Sequence, residues 1–283
     1  MSVRLQVVGD PIEHSLSPQI HHLFATEFGD DVSYGKEQVP FDLFNERAEA
    51  FRASGGLGMN VTVPLKTAAF AYVRHLDQVT RAAGAVNTIH FCDGKAWGYN
   101  TDGWGLVADL TLRWGVSLQD QTIVILGAGG ATRGVVLPLL EAGAGEIVIA
   151  NRTAAKAHAL CAELSTYVSG VSGGNGQIRA CGLSSGDAIE DSVGLVVNAT
   201  SVGLSDDQMT LPLTDQQLAE AFCYDMGYGA NAGFLRQVQS IARGAADGLG
   251  MLVEQAACSY EIWLGHKPST EPVYQQLRAE VDR

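Results

Sequence analysis

The segment from Gly58 to Lys66 (GMNVTVPLK) carries side chains suited to moving a proton on a polar ligand. Alternate residues of a strand share one face, so Asn60 and Thr62 are predicted to project together and Val63 to be buried on the other face. An amide, a hydroxyl and the ammonium of Lys66 suit a hydroxylated ligand whose oxygen gains or loses a proton. A half-exposed edge strand with a solvated lysine would have the same residues, and this segment alone does not decide between the two.

Two later segments repeat this arrangement of small polar side chains beside a predicted strand. Asn87 lies in AVNT, within a strand-like stretch from Ala85 to Phe91, and Asp102 lies in NTDG, from Asn100 to Gly103. Ligands of open α/β sheets bind at the carboxyl ends of the strands. Three such clusters favour a ligand site over a solvated edge.

A nucleotide-binding pattern occupies the middle of the chain. Thr122 to Leu126 (TIVIL) is predicted to be a buried parallel strand because it is short, β-branched and uncharged, and GAGGATRG follows at Gly127 to Gly134. Gly127 permits a tight turn, and Gly129 lets the backbone approach a diphosphate at the N-terminus of the next helix. Thr132 stands where a third glycine or alanine is usual, so a βαβ turn without a nucleotide stays the alternative.

The end of the next strand indicates which dinucleotide would bind. The predicted strand Glu146–Ala150 leads into Asn151-Arg152-Thr153, where NAD-binding units usually place an acid for the ribose 2′-hydroxyl. Arg152 and Lys156 instead offer positive charge to a 2′-phosphate. The sequence therefore predicts NADP(H) as the cofactor.

Strand and helix patterns alternate along the whole chain, which predicts an α/β fold. We expect two domains: an N-terminal, mostly parallel α/β substrate domain at residues 1–102 and 249–283, and a doubly wound Rossmann NADP-binding domain at residues 103–248. The substrate domain is discontinuous because the last helices are expected to return to it. Further predicted elements are strands at Leu5–Val8 and Gly56–Val63, a helix with Ser17 as N-cap and Pro18 in its first turn, a helix from Gly103 to about Trp114, a loop at Ser169–Gly176 and a helix at Met251–Leu264.

Composition excludes several classes of function. The net charge of −13 argues against nucleic acid and anionic membranes as partners, and no apolar run reaches the length of a membrane span. Five cysteines without CxxC spacing, and the lack of a secretion signal, predict reduced thiols and a cytoplasmic location. No metal is expected, because the neighbouring His21 and His22 point to different faces of a helix.

Nine ordered motifs over nearly the full length make the chain resemble the shikimate dehydrogenases. They are SLSP at Ser15–Pro18, NVTVPLK at Asn60–Lys66, AGAVNT at Ala83–Thr88, NTDG at Asn100–Gly103, GAGGATRG at Gly127–Gly134, NRT at Asn151–Thr153, NATSVG at Asn198–Gly203, YDMGY at Tyr224–Tyr228 and DGLGMLVEQA at Asp247–Ala256. The resemblance implies reversible reduction of 3-dehydroshikimate to shikimate by NADPH, in aromatic amino acid biosynthesis.

The resemblance also implies a role for each matching residue. Lys66 and Asp102 would form the catalytic acid–base pair. The substrate would be bound through its carboxylate by Ser15, Ser17 and Tyr228 and through its ring hydroxyls by Thr62, Asn87, Asp102 and Gln255, with Asn60 in support. The cofactor would be bound by Gly127, Ala128, Gly129, Gly130 and Ala131 at the diphosphate, by Asn151, Arg152, Thr153 and Lys156 at the 2′-phosphate, and by Thr200, Met226 and Gly248 beside the nicotinamide.

Two other functions stay open at this stage. A quinate or dual quinate/shikimate dehydrogenase, usually NAD-linked, would be favoured by an acid where Asn151 and Arg152 stand. A catalytically silent NADP(H)-binding regulator would be favoured by loss of Lys66 or Asp102, and both residues are present. Either a monomer or a homodimer is compatible with the sequence, since no surplus apolar stripe is evident.

Overall fold

The computed structural model describes residues 2–168, 176–184, 189, 192–200, 209–229 and 232–282. The chain divides into two compact units. The first unit is the chain up to Gly105 together with Val253–Val281, and the second is Leu106–Leu252. The predicted divisions at 102/103 and 248/249 fall a few residues earlier in the chain. The predicted loop at Ser169–Gly176 lies, except for its last residue, outside the described residues.

The first unit contains a mixed six-stranded sheet in the order β2-β1-β3-β5-β6-β4. Its strands are β1 (Val3–Gly9), β2 (Val32–Gln38), β3 (Gly58–Val61), β4 (His75–Leu76), β5 (Thr88–Cys92) and β6 (Lys95–Tyr99). Strand β1 is parallel to β2 and β3, β5 is antiparallel to β3 and β6, and β4 is parallel to β6.

The helices of the first unit cover its sheet with apolar side chains. They are α1 (Ser17–Phe28), α2 (Phe44–Ala53) after a 3₁₀ turn at Phe41–Leu43, α3 (Lys66–Tyr72), α4 (Gln78–Ala83), most of α10 (Leu249–Leu264) and α11 (Thr270–Val281). Phe44 and Leu65 pack with Met59 and Ile89 from the two central strands in one buried cluster. This core fixes the positions of the residues that follow β3 and precede β5.

Local predictions in the first unit were partly wrong. Helix α1 begins at Ser17 with Pro18 in its first turn, but the residue before the helix is Leu16, and Ser17 does not act as N-cap. Ser15 takes that place in part, because its hydroxyl accepts the Ser17 N–H at 3.3 Å. Val63 is 69% exposed and not buried, since β3 ends at Val61 and the chain turns away from the sheet.

The second unit contains an all-parallel sheet in the order β12-β11-β10-β7-β8-β9. This is the strand order of a doubly wound dinucleotide-binding fold, so the predicted fold class is confirmed. The strands are β7 (Thr122–Leu126), β8 (Glu146–Asn151), β9 (Gln177–Gly182), β10 (Leu195–Asn198), β11 (Phe222–Asp225) and β12 (Gly244–Asp247). The central strands are buried except at some of their end residues, which accounts for their continuous β-branched and aliphatic sequences.

The helices of the second unit follow the predicted alternation with strands. They are α6 (Gly130–Glu141), α7 (Ala154–Val168), α8 (Asp215–Glu220) and α9 (Gly233–Val238). Helix α5 (Asp102–Ala108) continues as a π-helical turn at Asp109–Arg113, close to the predicted helix from Gly103 to Trp114. Among the described residues, no helix is long and apolar enough to cross a membrane.

Candidate active site

An ion pair between Lys66 and Asp102 lies in the first unit. Lys66 begins α3, and Asp102 begins α5 shortly after β6. The Lys66 Nζ donates to Asp102 Oδ2 at 2.5 Å, and the two side chains are 27% and 16% exposed. The two charged groups that the sequence placed on separate strand ends therefore meet, in a position that solvent reaches only in part.

Asn87 holds the other oxygen of this carboxylate. Its Nδ2 donates to Asp102 Oδ1 at 2.9 Å, and its Oδ1 accepts the backbone N–H of Thr101 at 2.9 Å. A backbone N–H can only donate, so the amide orientation is fixed, with its NH₂ group toward the carboxylate. Both carboxylate oxygens of Asp102 therefore accept a hydrogen bond, one from Asn87 and the other from Lys66.

Gln255 approaches the same group from helix α10. Its Oε1 lies 3.4 Å from both Asn87 Nδ2 and Thr101 Oγ1. These contacts place the Gln255 amide beside the ion pair. Lys66, Asn87, Asp102 and Gln255, which the family resemblance assigned to one site, therefore form one cluster.

Asn60 is buried beneath this cluster, and its amide is already fully used. Its Nδ2 lies 3.2 Å from the Asn87 carbonyl, 3.1 Å from Thr88 Oγ1 and 3.1 Å from Ser259 Oγ. Its Oδ1 accepts the Tyr34 hydroxyl at 2.6 Å. Asn60 therefore supports its neighbours, and Tyr34, Thr88 and Ser259 are partners that sequence reasoning missed.

The remaining predicted residues of the first unit lie beside β1 and β3. Thr62 directly follows β3, and its hydroxyl makes no hydrogen bond to any described residue. Ser15 precedes α1 and is partly exposed, whereas Ser17 is 8% exposed. Burial raises the pKa of the neighbouring Tyr34 well above its usual range, and a hydrogen bond to Ser17 acts in the opposite direction. Tyr34 therefore stays protonated and can donate.

His21 is a packing residue of the first unit. Its ring stacks on Tyr34 with centroids 4.3 Å apart, and neither ring nitrogen has a hydrogen-bond partner. Burial lowers the pKa of His21 to about 3, so the ring is neutral at physiological pH. Within the described part of the chain, no cluster of three or more metal-ligating side chains is present.

The glycine turn of the second unit has space where a ligand would need it. Gly127 has a positive φ of 108°, and a Cβ there would lie 2.9 Å from the Thr200 methyl group. A Cβ at Gly129, by contrast, would enter open space at the start of α6. Thr132 is buried, and its hydroxyl donates to the Gly127 carbonyl at 2.9 Å, so this residue closes the turn in place of the usual small residue.

Two cations follow β8, Arg152 directly after the strand and Lys156 in the first turn of α7. Arg152 and Lys156 are exposed, and neither side chain makes a hydrogen bond or ion pair with another described residue. Asn151 Nδ2 donates to the Thr153 carbonyl at 2.9 Å, which shapes the turn between β8 and α7. The positive charge is therefore available to an anion at this strand end.

Three further predicted cofactor residues follow three neighbouring strands. Thr200 comes after β10 and donates through its hydroxyl to Asn198 Oδ1 at 2.7 Å. Met226 follows β11, and its N–H donates to the Asn198 carbonyl at 3.0 Å. Gly248 follows β12, and a Cβ there would lie 2.3 Å from the Met226 carbonyl oxygen. Only glycine therefore allows this approach of backbone to backbone.

Tyr228 also belongs to the second unit. It is half-buried, and burial followed by the charge of Asp247 raises the pKa of its phenol. The adjacent Gly229 N–H donates to Asp247 Oδ2 at 3.0 Å. Tyr228 is therefore a neutral hydroxyl beside a fixed backbone turn.

Three family models match segments of the chain. The shikimate dehydrogenase substrate binding domain matches residues 7–89, shikimate / quinate 5-dehydrogenase matches residues 109–173, and the shikimate 5'-dehydrogenase C-terminal domain matches residues 248–278. The matched segments contain most of the residues described above.

Known proteins with similar sequences and structures cover nearly all of the chain. Shikimate dehydrogenase (NADP(+)) of Acinetobacter baumannii strain SDF is 45% identical over 95% of this chain and 98% of its own. The crystal structure of an Ael1 enzyme from Pseudomonas putida is 40% identical, with a TM-score of 0.86, and covers 98% of both chains. Shikimate 5-dehydrogenase of Thermus thermophilus, solved with NADP(H) and shikimate, is 31% identical, with a TM-score of 0.82, over 98% of this chain and 99% of its own.

Proposed function

The chain belongs to the shikimate dehydrogenase family, and we propose that Lys66 and Asp102 are the acid–base pair of its reaction. As a member of this family, the enzyme reversibly reduces 3-dehydroshikimate to shikimate with NADPH, in aromatic amino acid biosynthesis. The observation that carries the proposal is the 2.5 Å contact between the two charged groups, with Asn87 on the second carboxylate oxygen.

The chemistry of a ketone reduction explains why these residue types are needed. When bound, NADPH supplies a hydride to the carbonyl carbon. The carbonyl oxygen then carries a negative charge and must receive a proton, which the Lys66 ammonium gives. In the oxidative direction, neutral Lys66 takes the proton from the substrate hydroxyl. Asp102 positions Lys66, since its Oδ2 accepts a hydrogen bond from Lys66 Nζ.

Substrate recognition follows from the remaining polar groups. We assign the ring hydroxyls to Thr62, Asn87, Asp102 and Gln255, and the substrate carboxylate to Ser15, Ser17 and Tyr228. The free hydroxyl of Thr62 and the convergence of Asn87 and Gln255 on the ion pair support this assignment. Hydrogen-bonding groups reject analogues that lack a hydroxyl far better than an apolar pocket does. Asn60 contributes support, because its own amide has no donor left for a ligand.

The second unit fits NADP(H). Open space beside Gly129 lets a diphosphate reach the N-terminus of α6, where backbone N–H groups and the helix dipole favour an anion. Gly127, Ala128, Gly130 and Ala131 complete that turn. Arg152 and Lys156 are exposed cations beside Asn151 and Thr153, and they suit a 2′-phosphate. Thr200, Met226 and Gly248 are assigned to the nicotinamide end.

Steady-state assays with two substrates and two cofactors test this function. Shikimate and quinate are each offered with NADP and with NAD, and the nicotinamide absorbance is followed. Shikimate with NADP should give the highest kcat/KM. A higher value for quinate with NAD would favour a quinate dehydrogenase, which the family name shikimate / quinate 5-dehydrogenase also covers.

Substitution of Lys66 tests the role of the ion pair. In Lys66→Ala, kcat should fall by about 100-fold or more while NADP binding is kept, because general acid–base catalysis contributes on the order of 10²–10⁴. An exposed lysine outside the site, Lys36, provides the matched control. An unchanged kcat in Lys66→Ala would exclude Lys66 from the chemistry.

Location and assembly belong to the same proposal. We place the enzyme in the cytoplasm as a monomer or homodimer, acting on a small molecule without nucleic acid or membrane. None of the five cysteines forms a disulfide, which suits a reducing compartment. Light scattering of the purified protein would give its mass and decide between monomer and dimer.

A further inference from the structure

A chain of hydrogen bonds leads from β2 to the carboxylate of Asp102 and lies beneath the cluster that contains Lys66. Its members, in order, are Tyr34, Asn60, Ser259, Thr88, Asn87 and Asp102. Thr88 is fully buried, so it cannot touch a ligand. The question is whether this buried chain only stabilises the fold or also positions the groups above it.

Two groups with only one possible role fix the orientation of both amides. The Asn87 carbonyl can only accept, so Asn60 turns its NH₂ group toward it and its oxygen toward Tyr34, which must donate. The Thr101 backbone N–H can only donate, so Asn87 turns its oxygen toward it and its NH₂ group toward Asp102.

The hydroxyls of Thr88 and Ser259 connect the two amides. Thr88 has one proton and gives it to Asn87 Oδ1 at 3.0 Å, because that oxygen cannot donate. Ser259 accepts from Asn60 Nδ2 at 3.1 Å, and its single proton faces two acceptors, Thr88 Oγ1 at 2.8 Å and the Gln255 carbonyl at 3.0 Å. The donors of Tyr34, Asn60, Thr88 and Asn87 run in sequence toward the carboxylate, and hydrogen bonds in such a chain polarise and strengthen one another.

Thr88 is the junction of this chain. Its hydroxyl donates a hydrogen bond to Asn87, accepts one from Asn60, and contacts the Ser259 hydroxyl. Ser259 lies one helical turn after Gln255 on α10, and its hydroxyl is also 3.0 Å from the Gln255 carbonyl. Thr88 therefore links strand β5, which Asn87 directly precedes, to helix α10, which carries Gln255.

We propose that Thr88 is a positioning residue, whose hydroxyl holds the Asn87 amide against Asp102 and thereby keeps Lys66 in place for proton transfer. The inference rests on the proposed function for its effect on turnover. A displacement of catalytic groups by about 1 Å can reduce turnover by up to about 100-fold. Loss of one of the three donors to the Asn87 oxygen should reduce kcat by about 10-fold.

The experiment compares Thr88→Val with Thr88→Ser. Valine keeps the shape and β-branching of the residue and removes only the hydroxyl, while serine keeps the hydroxyl. In Thr88→Val, kcat should fall about 10-fold with the KM for NADP unchanged, and Thr88→Ser should return kcat to within about 3-fold of the wild type. Equal losses in both variants, or a kcat in Thr88→Val within about 2-fold of the wild type, would overturn the proposal.

Tyr260→Phe separates positioning from stability. Tyr260 follows Ser259 on α10, is fully buried, and donates its hydroxyl to Asp30, away from the chain. Its loss should lower the melting temperature and leave kcat unchanged. If Thr88→Val does not fold, Tyr34→Phe replaces it, since it removes the first donor of the chain. An approximately 3-fold lower kcat is then expected, and an unchanged kcat would refute the proposal.

A measurement that does not depend on turnover separates the proposed role of Thr88 from the proposed enzymatic function. Hydrogen exchange of the Asn87 side-chain NH₂ group, assigned by nuclear magnetic resonance with Asn87→Asp, should be slow in the wild type and in Thr88→Ser and faster in Thr88→Val. If the wild type did not oxidise shikimate, the proposed function would fail while this measurement still decided the role of Thr88. Equal exchange in all three proteins would exclude positioning.

Discussion

The substitution Asp102→Asn tests the geometry of the ion pair directly. It keeps the size of the side chain and replaces two acceptor oxygens by one oxygen and one NH₂ group. In the wild type both oxygens face donors, Lys66 Nζ at 2.5 Å and Asn87 Nδ2 at 2.9 Å. Because the Thr101 N–H fixes the Asn87 amide, Asn87 cannot turn to offer an acceptor. The new amide must therefore present its NH₂ group to one of two donors.

The size of the effect follows from the bonds that are lost. Lys66 loses a hydrogen bond to a charged group, worth about 1.5–3 kcal/mol. If that loss falls on the transition state, kcat drops by roughly 10- to 100-fold, at about 1.4 kcal/mol per factor of ten. The free energy of unfolding should fall by only about 1–2 kcal/mol, because the pair is neither fully exposed nor fully buried.

The assay is steady-state oxidation of shikimate with NADP, combined with urea unfolding. The expected result is a kcat lowered by at least about 10-fold and an unchanged KM for NADP. Asp42→Asn, the same change at an exposed acid of the first unit, should leave both the kcat and the stability unaltered. A kcat of Asp102→Asn within about 3-fold of the wild type would show that the ion pair does not position the proton donor.

Three further perturbations test other parts of the structure. In Arg152→Ala, kcat/KM for NADP should fall by about 10-fold or more with no change for NAD, because only NADP has the phosphate that the guanidinium would bind; equal losses would contradict the assignment. In Gly129→Ala, the new methyl group should raise the KM for NADP at unchanged unfolding free energy, since it meets no protein atom; an unchanged KM would place the diphosphate elsewhere. Burial lowers the pKa of His21 to about 3, whereas histidine in the unfolded chain titrates near ~6.5. Between these two pH values the unfolded state binds a proton that the folded state does not. The free energy of unfolding therefore decreases as the pH falls through that window. Between pH 7.5 and 4.5, the free energy of unfolding measured in urea should therefore decrease by about 3 kcal/mol less in His21→Phe than in the wild type. The same change at the exposed neighbour, His22→Phe, should show the wild-type decrease.

Two central strands of the second unit could be predicted because they are almost entirely buried. Thr122–Leu126 is strand β7 as predicted, and Glu146–Ala150 is extended by one residue in β8. The structural role of Thr132 could not be predicted, because it depends on the hydrogen bond from the Thr132 hydroxyl to the Gly127 carbonyl. A sequence shows that a residue departs from a pattern but not what its side chain reaches in the fold.

The first unit could be predicted only in part because two of its strands have weak sequence signals. Strand β2 (VSYGKEQ) is largely polar and partly exposed at the edge of the sheet, and β6 (KAWGY) is short and contains glycine. Without β2, the position of Tyr34 and its bond to Asn60 could not be foreseen. Ser259 was hidden for a different reason, since its partner Thr88 is far away in the sequence.

One edge of the first sheet explains why the polar clusters meet. Asn60 lies near the carboxyl end of β3, and Asp102 follows the carboxyl end of β6. Strand β5 runs antiparallel between these two strands, with Thr88 opposite both Asn60 and Tyr99, so its amino end lies at the same edge. Asn87 therefore reaches the site by preceding its strand, and the prediction that it lies within a strand from Ala85 was wrong. The residues of the proposed site therefore share one edge of the sheet, and the reversed strand contributes the residue that donates to the Asp102 carboxylate.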